Sequence, residues 1–131
     1  MILLKGAEVS SKIKTEVLAA VSAMEGHVPT AAIVRVGERP DDVSYEKNAM
    51  KKIAAFGMEA RSYVFPEDIS QQEFEEKFRA INQDPQIDGI LLFRPLPAQI
   101  DGRLPERLID PKKDLDGISP INSAKIFAGE E

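Results

Sequence analysis

The run DGILLF, residues 88–93, decides the fold. Its apolar residues follow one another with no polar alternation and stop at strand length, which is how a strand covered on both faces reads. Two prolines follow at once in RPLPAQ (94–99). Proline donates no ladder hydrogen bond and cannot continue a central strand, so the strand must end before Pro95. Upstream, TAAIVRV (30–36) is a second short β-branched run closed by Gly37, and ARSYVF (60–65) is a third closed by Pro66.

Helical spacing fills the intervals. From Val9 to Met24 the residues Ile13, Val17, Val21 and Met24 recur on one helical face, with Ser10 or Ser11 available as cap and Gly26 as stop. A second helix follows the loop ERPDD, where Asp41, Asp42 and Ser44 can each cap, and runs to about Phe56 before Gly57. Ser70 and Glu73 form a capping-box pattern for a third helix that carries Phe74, Phe78 and Ile81 on one side. Beyond Pro97 the chain predicts a short helical turn in PERLID, a charged loop, and another helix opening near Ser119–Pro120 that runs on through SAKIFAGEE.

Strands alternating with helices predict an α/β, three-layer domain: a mainly parallel sheet with helices on both faces. Ligands of such sheets bind beyond the carboxyl ends of the strands. The loops Gly37–Asp42 and Arg94–Pro97 would both lie there, converging on one cleft.

Composition narrows the function. At 131 residues the chain has the length of one domain, 1–131, able to bury roughly two thirds of its unfolded surface. The 43% apolar and 30% charged content is globular. With no cysteine and one histidine, His27, it has neither a disulfide framework nor a cysteine or histidine metal cluster, and no metal is expected. A net charge of −5 with dispersed acids argues against nucleic acid as partner. The opening MILLKG is too short for a secretory apolar region, and no apolar run reaches the roughly 18 residues of a membrane span. A cytoplasmic protein with no membrane partner is the expectation.

Three ordered segments carry a resemblance: VGERPDDVSYEKNAMKKIAAFGM (36–58), DGILLFRPLP (88–97) and PKKDLDGISPIN (111–122). Together they resemble the signatures of the methylenetetrahydrofolate dehydrogenase/cyclohydrolase family, whose KDVDG is KDLDG here, and the likeness extends over the whole chain as that family's N-terminal folate-binding domain. The resemblance implies a tetrahydrofolate substrate that binds at Tyr45, Phe93, Pro95, Leu96 and Asp116. Tyr45 would pack on the aminobenzoyl ring, and Asp116 would accept hydrogen bonds from the pterin, a task suited to the two acceptor oxygens of a carboxylate. A partly buried tyrosine with its hydroxyl in water, and a turn aspartate before Gly117, are the plain structural readings of the same residues. Asp114 competes for either aspartate role, although Lys112 and Lys113 beside it suggest a solvated surface charge.

The departures from the pattern are informative. Four residues after the tyrosine the family has a general acid/base lysine, and this chain has Ala49; the glutamine that holds the lysine is Phe93, and the serine three residues before the tyrosine is Asp42. Water addition to a methenyl cation gains from a positioned base, typically 10²–10⁴-fold, which alanine cannot supply. Hydride departure is driven by the adjacent nitrogen and does not need that lysine. Dehydrogenation is therefore expected to survive and the cyclohydrolase step to be impaired. Lys52, two turns from Tyr45, is a remote substitute base; Arg94 stays protonated and can act only on charge. By resemblance the complete enzyme would use NAD(P) in a following Rossmann domain and form a homodimer. No GxGxxG occurs in this chain, so the domain alone is expected to bind no dinucleotide and to be inactive. A non-catalytic folate-binding or regulatory module is the alternative.

Overall fold

The computed structural model describes residues 6–130. Met1–Lys5, on which the reading of the opening segment rests, and Glu131 lie outside the described residues. The elements run α1 (Gly6–Ser22), β1 (Thr30–Val36), α2 (Pro40–Ala55), β2 (Glu59–Phe65), α3 (Gln71–Gln83), β3 (Gly89–Leu92), α4 (Arg103–Leu108) and α5 (Pro120–Ala128). The three strands form one parallel sheet, as the alternation predicted, and their order in it is β2-β1-β3.

Strand periodicity explains the two faces. Ala32, Val34 and Val36 of β1 lie in register with Ile90 and Leu92 of β3 and with Tyr63 and Phe65 of β2. Successive side chains alternate across a sheet, so these share one face. Against them α3 packs Phe74, Phe78 and Ile81, and α4 adds Leu104, making a continuous apolar core. Arg35 therefore points the other way, and it meets Glu46 of α2 on the opposite face. The helices do cover both sides.

The capping box forms as read: the Ser70 hydroxyl accepts from Glu73 N, and the Glu73 carboxylate reaches back to Ser70 N. Other boundaries differ from expectation. Helix α1 is already formed at Gly6, the first described residue, so Ser10 and Ser11 lie inside it and do not cap. It ends at Ser22, short of the expected Met24 and Gly26, and buries no residue fully; Ile13 within it and Met24 beyond it stay exposed, and Val21 lies against Gly57. Helix α2 has no side-chain cap at all. Pro40 occupies its first turn with the helical φ already set, which leaves Asp41 and Asp42 as first-turn acids and Ser44 within the helix. Helix α5 opens as predicted, with the Ser119 hydroxyl accepting from Asn122 N, but it stops at Ala128, because Gly129 takes φ 72° and closes it.

No helix among the described residues is long and apolar enough to cross a membrane.

Candidate functional site

Three segments meet at the carboxyl edge of the sheet. Asp41, Asp42 and Tyr45 come from the first turns of α2, Phe93 and Arg94 from the end of β3, and Asp116 from the DLDG turn; they line one cleft of about 330 Å³. Tyr45 is 63% exposed and stands edge-on to Phe93, with ring centroids 5.3 Å apart and planes at 79°. Such edge-to-face pairs contribute roughly 0.5–1.5 kcal/mol beyond burial, enough to hold a ring that is otherwise in water.

The DLDG turn is fixed to the sheet by β3. Ile90 N donates to Lys113 O at 2.6 Å and Leu115 N donates to Ile90 O at 3.3 Å, a single parallel bridge alongside the strand. The Leu115 side chain lies over Gly89, where a β-carbon would come 2.7 Å from Leu115 Cδ2. The two aspartates of the turn divide its work. Asp114, read from sequence as a solvated charge, is instead the organiser of the turn. It accepts from Ile118 N (3.0 Å), Ser119 N (2.8 Å) and Asn122 Nδ2 (3.1 Å). Partial burial pushes its pKa up, but the backbone N–H groups of Ser119 and Ile118 and the Asn122 amide outweigh that and hold it below the ordinary carboxylate value. Lys113, whose charge suggested solvation, donates to the carbonyls of Asn82 and Asp84. Asp116 is left exposed at the cleft.

Pro95 and Leu96 do not join Tyr45 and Asp116. They line a neighbouring depression of about 690 Å³ with Asp101, Arg103 and Glu106, and Arg94 stands between the two hollows. Leu96 is drawn away because its side chain packs on the apolar core. Arg94 is itself engaged, its Nη1 donating to Glu106 Oε1 at 2.7 Å. Ala49 is half-buried one turn beyond Tyr45 and does not line the cleft. Lys47, Lys51 and Lys52 are exposed, and none of them lines it.

One feature escaped sequence reading. Arg35 and Glu46 are only 7% and 6% exposed and pair through Nε and Oε2 at 2.8 Å. The Ser62 hydroxyl donates to the other Glu46 oxygen, and Arg35 Nη1 donates to the Gly37 carbonyl. The available signal was the arginine inside TAAIVRV, since a charge within a buried strand demands a partner.

Fold and cleft define an α/β ligand-binding domain, open at the carboxyl edge of a parallel sheet, with a ring on one wall and a carboxylate on the other. The chain belongs to the tetrahydrofolate dehydrogenase/cyclohydrolase family: the model of its catalytic domain matches residues 4–116. The bifunctional protein FolD of Alkaliphilus oremlandii is 43% identical over 98% of this chain and 46% of its own length. That of Clostridium kluyveri is 39% identical over the same shares. Among solved structures, the bifunctional FolD enzyme of Campylobacter jejuni superposes with a TM-score of 0.92 at 32% identity, covering 100% of this chain and 47% of that one. The Trypanosoma brucei enzyme, complexed with NADP and an inhibitor, gives 0.85 at 26% identity, over 95% and 43% of the two chains. The chain thus spans about half the length of the relatives it matches.

Proposed function

We propose that this domain is the folate-binding half of a methylenetetrahydrofolate dehydrogenase, acting in the oxidation of 5,10-methylenetetrahydrofolate to the methenyl form, with an impaired cyclohydrolase step. The observation that carries the reading is the cleft itself. Tyr45 and Asp116 line its walls, Phe93 lies beside the ring, and no lysine contributes to it. In this reading Tyr45 offers a face to the aminobenzoyl ring, and Asp116, exposed and without the backbone bonds that occupy Asp114, has both oxygens free for the donor edge of a pterin.

The residues present do not fit a dinucleotide. A pyrophosphate would seek the N-terminus of a helix after a glycine-rich turn. Here the β1–α2 turn holds one glycine, Gly37, and the first turn of α2 carries Asp41 and Asp42, which would repel it. We therefore assign NAD(P) binding to a separate Rossmann domain of a longer, homodimeric enzyme. The domain alone would bind substrate without oxidising it.

A hydrolysis assay tests the impaired step. When this domain is joined to its dinucleotide-binding domain, Ala49→Lys with Phe93→Gln is expected to raise methenyltetrahydrofolate hydrolysis by about 10²–10⁴-fold. Equal rates in the parent and the double variant would overturn the proposal.

A further inference from the structure

Helix α2 carries the ring wall of the cleft, and its half-buried Ala49, Met50 and Ile53 give it no fully buried apolar anchor on the sheet. Its one buried residue is Glu46, the immediate neighbour of Tyr45. A buried ion pair is poor evidence for stability, because taking both charges out of water costs about what their attraction returns, and well-packed apolar residues of similar volume often do as well or better. What the pair does supply is direction. Arg35 Nε meets Glu46 Oε2 at 2.8 Å, Ser62 donates to Oε1, and Arg35 also holds the carbonyl of Gly37 at the mouth of the loop that leads into α2. One carboxylate thereby ties the helix to β1 and β2, and one guanidinium ties the same point to the loop.

The lever is short. A rotation of α2 by about 20° would swing a ring carried at the ~5–6 Å side-chain radius by about 2 Å. Tyr45 sits only 5.3 Å from Phe93, so such a swing would break their contact and reshape the wall. An apolar pair in place of Arg35 and Glu46 could bury the same surface but would tolerate sliding and rotation, because dispersion is not directional.

We propose that the buried Arg35–Glu46–Ser62 cluster is a positioning device that sets the pose of Tyr45 over the cleft. Its effect on ligand affinity rests on the folate reading above; its effect on the ring does not.

The chain has two tyrosines and no tryptophan, so in a Tyr63→Phe background the near-ultraviolet circular dichroism of tyrosine reports Tyr45 alone. In that background, Arg35→Met with Glu46→Leu is expected to melt at or above the parent temperature and to lose most of the Tyr45 band. It should bind 5-formyltetrahydrofolate about tenfold more weakly, as misplacement by an ångström or two commonly does. Glu46→Gln should behave in the opposite way. Its amide can still accept from Arg35 and donate to Ser62, but the guanidinium loses its counter-charge, so melting falls while band and affinity stay near the parent values. A purely structural pair would not give this crossed pattern. An apolar double variant that keeps both band and affinity would overturn the inference. Should that variant not fold, Ser62→Ala decides, with a reduced band expected and an unchanged band contradicting it. Loss of the band with no folate binding in the parent would refute the ligand reading and leave the positioning role intact.

Discussion

Helix α3 presses Phe74 and Phe78, neither with any exposed surface, onto one face of the sheet, whereas α2 presents to the other face a single buried residue, Glu46, whose partner is a charge. The α3 face is assembled from contacts that need only be apolar and well filled: Phe74 stacks on Phe78 at 5.7 Å and meets Phe65 edge-on at 6.2 Å. The α2 face also buries Ile33, but α2 itself is tied to it by directed bonds, and the cleft lies at its end. Stability and site geometry are thus carried largely by different sides of one three-stranded sheet.

Breaking the apolar side should have the largest effect. Phe78→Ala is expected to cost about 3–5 kcal/mol in chemical denaturation, the range for truncating a buried aromatic ring, and to leave folate affinity unchanged in the molecules that remain folded. A comparable loss of affinity would show that the two faces are not separable.

The junction between β3 and the DLDG turn comes next. Gly89→Ala places a methyl group 2.7 Å from Leu115 Cδ2 and, because that side chain is 58% exposed and can turn aside, should cost about 0.5–1.5 kcal/mol. Leu115→Ala in the same chain should restore most of it. Absence of that rescue in a denaturation double-mutant cycle would mean that the turn is held by other contacts.

On the cleft side the pattern should invert. Tyr45→Ala or Asp116→Ala is expected to weaken binding of a folate by about 1–3 kcal/mol in calorimetry, while changing stability by less than about 0.5 kcal/mol for Asp116, which is in water, and by about 0.5–1.5 kcal/mol for Tyr45, which gives up its contact with Phe93. Asp114→Asn should do something different again. The native carboxylate has its pKa held below the ordinary 3.8, so it contributes stability that is complete above that value and is lost as pH falls through the folded pKa. Melting curves recorded from pH 6 downward should therefore fall less steeply in the variant than in the parent, with about 1–2 kcal/mol separating them at neutral pH. Parallel curves would remove Asp114 from its role in the turn. Lys52→Ala, the mildest change, should leave folate affinity where it was; a loss would revive Lys52 as a participant.

Most of the fold was legible because most strands and helices carry their own punctuation. Gly37, Gly57 and Pro66 end elements where they appear, and the Ser70–Glu73 pair reports the start of α3 without ambiguity. The α1 and α2 starts were misplaced because a side-chain cap is only one way to begin a helix: Pro40 does it through φ alone. Tyr45 and Asp116 were singled out from three segments in order, and one cleft brings both together. The placement of Leu96 in the neighbouring depression was not legible, because proline-rich turns say nothing about which side chain turns inward to the core. Asp114 and Asp116 look alike in sequence, and only the backbone path past Ile118 and Ser119 separates the half-buried acceptor from the exposed one. The Arg35–Glu46 pair was invisible for a related reason. Its members lie eleven positions apart, and their meeting depends on how α2 lies across β1.

The central claim is that the wall formed by Tyr45 and Phe93 and the carboxylate of Asp116 enclose one folate site. An NMR titration of the chain with 5-formyltetrahydrofolate addresses it directly. Amide shifts centred on residues 41–45, Phe93 and Asp116 are predicted, and they should vanish in Tyr45→Ala/Asp116→Ala. Shifts centred on His27 and Asp88, at the opposite edge of the sheet, would contradict it.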